Sequence, residues 1–208
     1  MSGWTDSVCI AGSGTGEPQV TALSDLVNIG SVHGTDDNVG GIIGSMENVT
    51  IAGETYNLGA VTGDKGNVGG IAGLAINSTI GDNNDFRIYN QLNVTGGWNV
   101  GGIVGYIYGE NSSISNVENH GNITAKGSIK EQYAYHQYAS GLTNGWDNQY
   151  IDTRVANAGG IAGQSGESAD SKTYRITIDN VHHDGDVTTV KGTHKNDQGE
   201  LEYDKYIA

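Results

Sequence analysis

Histidines beside carboxylates are the residues in this chain whose types most readily imply chemistry. His182 and His183, followed by Asp184 and Asp186, carry nitrogen and oxygen donors of the kind that ligate zinc. Adjacent residues of a strand point to opposite faces, however, so the two histidines would not share one site. None of His33, His120, His136, His182, His183 and His194 falls in a His-Glu-x-x-His pattern, which would place two ligands and a general base on one helix face. Oxygen donors gather at GTDDN (34–38) and GDNNDF (81–86), where calcium is the natural cation. Neither stretch has EF-hand spacing or the tandem nonapeptides of a calcium-loaded β-roll. Asn and Asp at turns also satisfy their own backbone without a metal. No cofactor is expected, and calcium at these turns is the exception to test.

Carboxylates could also cleave polysaccharide. Asp147, Asp152 and Asp170 are candidates, since glycoside hydrolysis needs two carboxylates at a set separation. Lyase chemistry further needs cations to neutralise the substrate acid, and Arg87, Arg154 and Arg175 are a thin supply. GSGTG at 12–16 lacks the Lys-Ser/Thr of a phosphate-binding loop. The expectation is a non-catalytic protein, with a polysaccharide-active enzyme as the rival reading.

Aromatic side chains concentrate in one place. Tyr133, Tyr135, Tyr138, Trp146 and Tyr150 lie within 127–157. Flat apolar faces with a polar edge suit stacking on sugars or anchoring a protein partner, and these five are the candidate ligand-binding residues. The plain alternative is that they cover exposed core or fold as a small cap.

The elements that position these groups are repeats. NVGGIIG (38–44) returns as NVGGIAG (67–73), NVGGIVG (99–105) and NAGGIAG (157–163), at steps of 29, 32 and 58 residues, the last being two periods. A first half-motif, Asn-x-Gly-x-Val-x-Gly, precedes it at 28–34 and 57–63, with looser copies at 90–96, 119–125 and 183–189. A period of about thirty residues marks a solenoid, whose units stack to bury a shared core. Stacking would make Ile42, Ile71, Ile103 and Ile161 one inner ladder, and Val32, Val61, Val94, Ile123 and Val187 another. Asn38, Asn67, Asn99 and Asn157 would stack at a corner with their amides bonded between coils. The paired glycines would supply either a positive φ or an approach too close for a Cβ.

Composition agrees. Glycine is 34 of 208 residues, well above the usual share of roughly 7%, and has no Gly-X-Y period, which excludes collagen. A net charge of −14 disfavours nucleic acid and anionic membrane surfaces as partners. No run of about 18 apolar residues is present, so no membrane insertion is expected. Cys9 is the only cysteine and allows no internal disulfide. Within 1–27, the spacing of Ala22, Leu23, Leu26 and Val27 predicts a short helix over 21–30, read as an N-terminal cap. The solenoid is placed at 28–192, and 193–208 is read as a tail or the start of a following segment.

The repeated Gly-Gly-Ile-x-Gly with its upstream Asn-x-Gly-x-Val-x-Gly resembles the GLUG repeat of large bacterial surface proteins. GSGTGEP (12–18) and LSDLV (23–27) are similar to that family's leader. The resemblance implies an adhesin-like module, or the non-catalytic region of an immunoglobulin A protease-type protein, carried extracellularly or on the cell surface within a larger exported chain. Its implied partner is a host or neighbouring-cell glycan or protein. End-to-end self-association into an extracellular filament is the alternative. The fold expected is all-β, a parallel β-helix or β-solenoid of about five or six glycine-rich coils with an N-terminal cap and an aromatic insertion at about 127–157.

Overall fold

A computed structural model of the chain describes residues 9–11, 21–81, 87–131, 134–136, 145–147, 151–154, 156–166, 172–190, 193–195 and 201–203. Among them every regular element is a strand. The coil starting at Val68 shows the plan. It runs through short strands Val68–Gly69, Ala72–Ile76, Thr79–Ile80, Ile88–Asn90 and Val94–Gly96, then meets the next signature at Val100–Gly101. Each strand pairs in parallel with its equivalents one coil below and above, as Val68 does with Val39 and Val100. The molecule is therefore a parallel β-solenoid. The sheet built on the signature has four strands, from Val39–Gly40 to Ala158–Gly159. Four rungs enclose about three full turns, fewer than the five or six coils expected, with partial coils beyond them.

Both apolar ladders form. Ile42, Ile71, Ile103 and Ile161 are joined by backbone bonds at 2.9–3.0 Å, and Ile71 and Ile103 are fully buried. Val32, Val61, Val94, Ile123 and Val187 are register partners in sequence. The first ladder belongs to a core with Met46, Ile80, Ile107 and Ile114, the second to a smaller one with Val68, Val100 and Ala156. Each fully buried Ile or Val side chain contributes roughly 1.5–3 kcal/mol, so the stack is held by the sum over rungs rather than by any single contact.

The signature's asparagines and glycines divide the labour at the corner. Asn38, Asn67 and Asn99 hold φ of 66°, 55° and 51°, the left-handed conformation that Asn tolerates best after Gly. Their amides bond from coil to coil: Asn67 Nδ2 donates to Asn38 Oδ1 at 2.8 Å, Asn99 to Asn67 at 2.9 Å, and Asn157 to Asn99 at 2.9 Å. The glycines provide close approach instead. A Cβ on Gly70 would lie 2.1 Å from Gly102 O and 2.4 Å from Asn90 Cγ.

A second polar ladder lines the opposite wall. Asn28 Nδ2 donates to Asn57 Oδ1, Asn57 to Asn90, and Asn90 to Asn119, each at 2.7 Å. His183 takes the fifth position, its Nδ1 2.8 Å from Asn119 Nδ2. Donation here runs toward the C-terminal end, opposite to the corner ladder.

The helix expected over 21–30 is not formed. Thr21–Leu23 pairs with Val49–Ile51 and Val27–Asn28 with Tyr56–Asn57, both in parallel. Cys9–Ala11 likewise pairs with Ser45–Glu47. A neighbouring coil with unpaired backbone offers these residues more hydrogen bonds than a lone helical turn, and that decides their state. In the tail, Thr193–Lys195 and Leu201–Tyr203 pair antiparallel with each other.

Candidate functional site

The insertion departs from the coil path after Lys126 and Gly127, whose amides bond Gly96 O and Gly97 O. Ser128–Glu131 then pairs antiparallel with Ile151–Arg154, and Ala134–His136 with Gly145–Asp147. Outgoing and returning segments thus satisfy each other, forming a two-stranded excursion between Ile123–Ala125 and Ala158–Gly159 rather than another parallel rung. Tyr135 is the register partner of Trp146, so two of the five candidate aromatics occupy directly opposed positions of one ladder. Tyr133, Tyr138 and Tyr150 lie outside the described residues. Asp152 is opposite Lys130, and Asp147 is opposite Ala134 in the other ladder. Asp170 lies outside the described residues.

His182 and His183 do point to opposite faces. His183 is inside, in the asparagine ladder, while the His182 side chain is outside and 62% exposed. Asp186 uses its backbone N–H to donate to Asn122 Oδ1 at 2.9 Å. At GTDDN, Asp36 Oδ1 accepts from Asp37 N and from Lys65 Nζ, and Asp37 Oδ1 accepts from Gly66 N. The ion pair with Asp36 raises the Lys65 ammonium above its usual range. These turn carboxylates therefore tie one coil to the next. Residues 82–86 of the other candidate calcium stretch lie outside the described residues.

The structure also assembles an outer face that sequence reasoning did not single out. Tyr56, Tyr89, Glu118 and His182 are successive register partners on the outer surface. The Tyr56 and Tyr89 rings stack at 4.5 Å between centroids, and His120 lies edge-on to Tyr89 at 6.2 Å. His120 sits between two carboxylates, its Nε2 3.4 Å from Glu118 and its Nδ1 3.1 Å from Asp184. The hydrogen bond from His120 holds the Asp184 carboxyl below its ordinary range. Tyr56 is pushed up to about 12, first by its hydrogen bond to the Glu54 carboxylate and then by desolvation, so its hydroxyl is a donor at neutral pH.

A groove of about 560 Å³ opens beside this row, lined by Arg87, Asn116, Val117, Glu118, Asn180, Val181 and His182. Arg87 approaches Glu118 at 3.9 Å. Amides, a guanidinium, a carboxylate and an imidazole around one groove can exchange hydrogen bonds with a polyhydroxylated or peptide-like ligand. The two tyrosines stack on each other along the solenoid axis. They present edges rather than open faces, and so act more as cross-coil braces than as a sugar platform. A second outer cluster joins Tyr106, Tyr108 and Tyr174, with Lys172 Nζ 4.9 Å from the Tyr174 ring and 3.1 Å from Glu110.

The outer row had a signal. Tyr56, Tyr89, Glu118 and His182 each immediately precede a member of the second polar ladder, Asn57, Asn90, Asn119 and His183. No protein-family model, no curated protein and no solved structure matches this chain.

Proposed function

We propose that this chain is a non-catalytic structural and adhesive repeat module of an exported bacterial surface protein, of the GLUG-repeat kind that its motifs resemble. The observation that carries this reading is the use made of the signature. In each copy its Asn closes a corner, its glycines admit close approach and its Ile lies in the core, as Ile71 and Ile103 do, or packs against it, as Ile42 and Ile161 do. The recurring residues are thereby committed to stacking, and variation between coils falls on the exterior. A rigid stack with variable outer residues and a projecting two-stranded arm suits display to another surface.

The partner is a glycan or protein of a host or neighbouring cell, held through the arm that carries Tyr133, Tyr135, Tyr138, Trp146 and Tyr150. The experiment replaces 130–152 by a short turn and measures binding to glycan and cell-surface protein panels. Loss of binding with an unchanged melting temperature supports the arm as the site. Retained binding rules against it and directs attention to the groove at Arg87 and Glu118, which Arg87→Ala then tests. Depolymerase activity of the unaltered protein on any glycan of the panel would instead establish the enzyme reading, with Asp147, Asp152 and Asp170 as the residues to substitute.

A further inference from the structure

Among the described residues, the inner ladders of the solenoid end on a partly exposed rung. Ile51, Ile80 and Ile114 are fully buried, yet Ile178, the next residue of their ladder, is 42% exposed. Val61, Val94 and Ile123 are fully buried, and Val187 above them is 45% exposed. The parallel sheets stop there, since the described strands that follow, Thr193–Lys195 and Leu201–Tyr203, pair with each other. At the opposite end, Thr21–Leu23, Val27–Asn28 and Val32–Gly34 are the outermost strands of the same sheets, and Leu23 and Val32 are only partly buried.

The two ends are complementary. Each offers the ladder member that the other lacks: Leu23 continues the column of Ile178, and Val32 that of Val187. The polar ladder agrees. The Oδ1 atoms of Asn57 and Asn119 each accept two bonds, one from the glycine two residues on and one from the asparagine below. Among the described residues, Asn28 Oδ1 accepts from Gly30 N alone. At the far end of that ladder His183 is the last member, its Nδ1 turned to Asn119 Nδ2.

We propose that what roofs the C-terminal rung is a second copy of this chain in the same orientation, its rung at 21–34 laid on the first copy's rung at 177–189. Addition of this kind continues the parallel ladders across the junction, with Asn28 of the incoming copy following His183. The signature sheet has four strands where the valine sheet has five, so it is interrupted at the junction while the other faces run on. A head-to-tail contact that does not close on itself grows into a filament. Copies of charge −14 repel one another, so salt promotes the assembly by screening.

The test is sedimentation velocity of the whole chain over a concentration series at low and high salt, with negative-stain imaging. Association that increases with concentration and salt, giving rods of solenoid width, is expected. A single monomeric species throughout overturns the proposal. Val187→Lys blocks one end and Val32→Lys the other, so each variant alone should remain monomeric while an equimolar mixture forms a 1:1 dimer and nothing larger. Association by either variant alone would overturn head-to-tail addition. If Val32→Lys fails to fold by circular dichroism, Leu23→Lys blocks the same end. The outcome is independent of the adhesive reading, because neither blocked rung includes the arm.

Discussion

Asn57 donates its Nδ2 to Asn90 Oδ1 at 2.7 Å in a wall where both side chains are fully shut off from solvent. The same Nδ2 reaches Gly59 O at 2.8 Å, so one amide both closes its own turn and clamps the coil above. Solenoids face the problem of holding polar corners inside a continuous core, and a ladder in which each amide completes the next solves it without charge.

Asn90 is the residue where that ladder should be easiest to break. Its side chain takes part in bonds to Asn57, Leu92 O and Asn119. Asn90→Ala should cost about 2–4 kcal/mol in urea unfolding, because two neighbouring amides lose their partner. A loss below about 0.5 kcal/mol would mean the ladder is not a source of stability.

Asn67 separates two contributions at the corner. Both Asn67→Gly and Asn67→Ala remove the amide, but only alanine also strains the φ of 55°. Alanine should therefore be the worse of the two by roughly 1 kcal/mol. Equal losses would show that the left-handed corner is not retained in solution.

Depth in the stack should set the cost of a cavity. Ile103→Ala, in the middle, should lose about 2–5 kcal/mol, and Ile178→Ala, on the open rung, about 1 kcal/mol or less while the protein is monomeric. Gly70→Ala should be as damaging as the first, because its methyl has backbone oxygen in its place. Equal effects at Ile103 and Ile178 would contradict the open end.

Two titrations report on the outer face. Asp184 has a folded pKa below its unfolded value, so its contribution is present above about pH 4 and is lost as the pH falls through the depressed folded value. Carbon-13 titration should show Asp184 returning upward to the ordinary carboxylate range in His120→Gln. Tyr56 is the reverse case: its contribution holds below about pH 10 and is lost as the pH rises through about 12. In Glu54→Gln, ultraviolet titration should show this tyrosine moving down. Unshifted midpoints would remove the His120–Asp184 and Tyr56–Glu54 contacts from the account.

Much of this fold was legible because the period is strict where the core demands it. Ile42, Ile71, Ile103 and Ile161 keep one residue type, and Asn38, Asn67, Asn99 and Asn157 another, always four residues apart within a copy, since an inner ladder tolerates little change. The helix at 21–30 was misread because Ala22, Leu23, Leu26 and Val27 fit a helical face in isolation, and only pairing with Val49–Ile51 and Tyr56–Asn57 makes them strands. The second polar ladder is formed by the first residues of the half-motif copies, Asn28, Asn57, Asn90, Asn119 and His183, but its amide bonds between coils were not read from them. The outer row of Tyr56, Tyr89, Glu118 and His182 conserves position but not residue type, as an exposed column is free to do. The location of the arm followed from the break in period, whereas the facing of Tyr135 and Trp146 depends on an antiparallel register that no repeat specifies.

Each signature copy is one interchangeable rung of the stack. Asn38 and Asn67 are 29 residues apart and occupy equivalent corners. Deleting 39–67 joins Asn38 to Val68 and removes one whole coil in phase. Far-ultraviolet circular dichroism and urea unfolding of this variant test the claim most directly. A β-rich protein that still unfolds cooperatively is expected, while a deletion of 39–71, which also removes Val68–Ile71 of the joining signature and so leaves that coil without its corner strand, does not fold. Collapse of both variants alike, or survival of both alike, would contradict it.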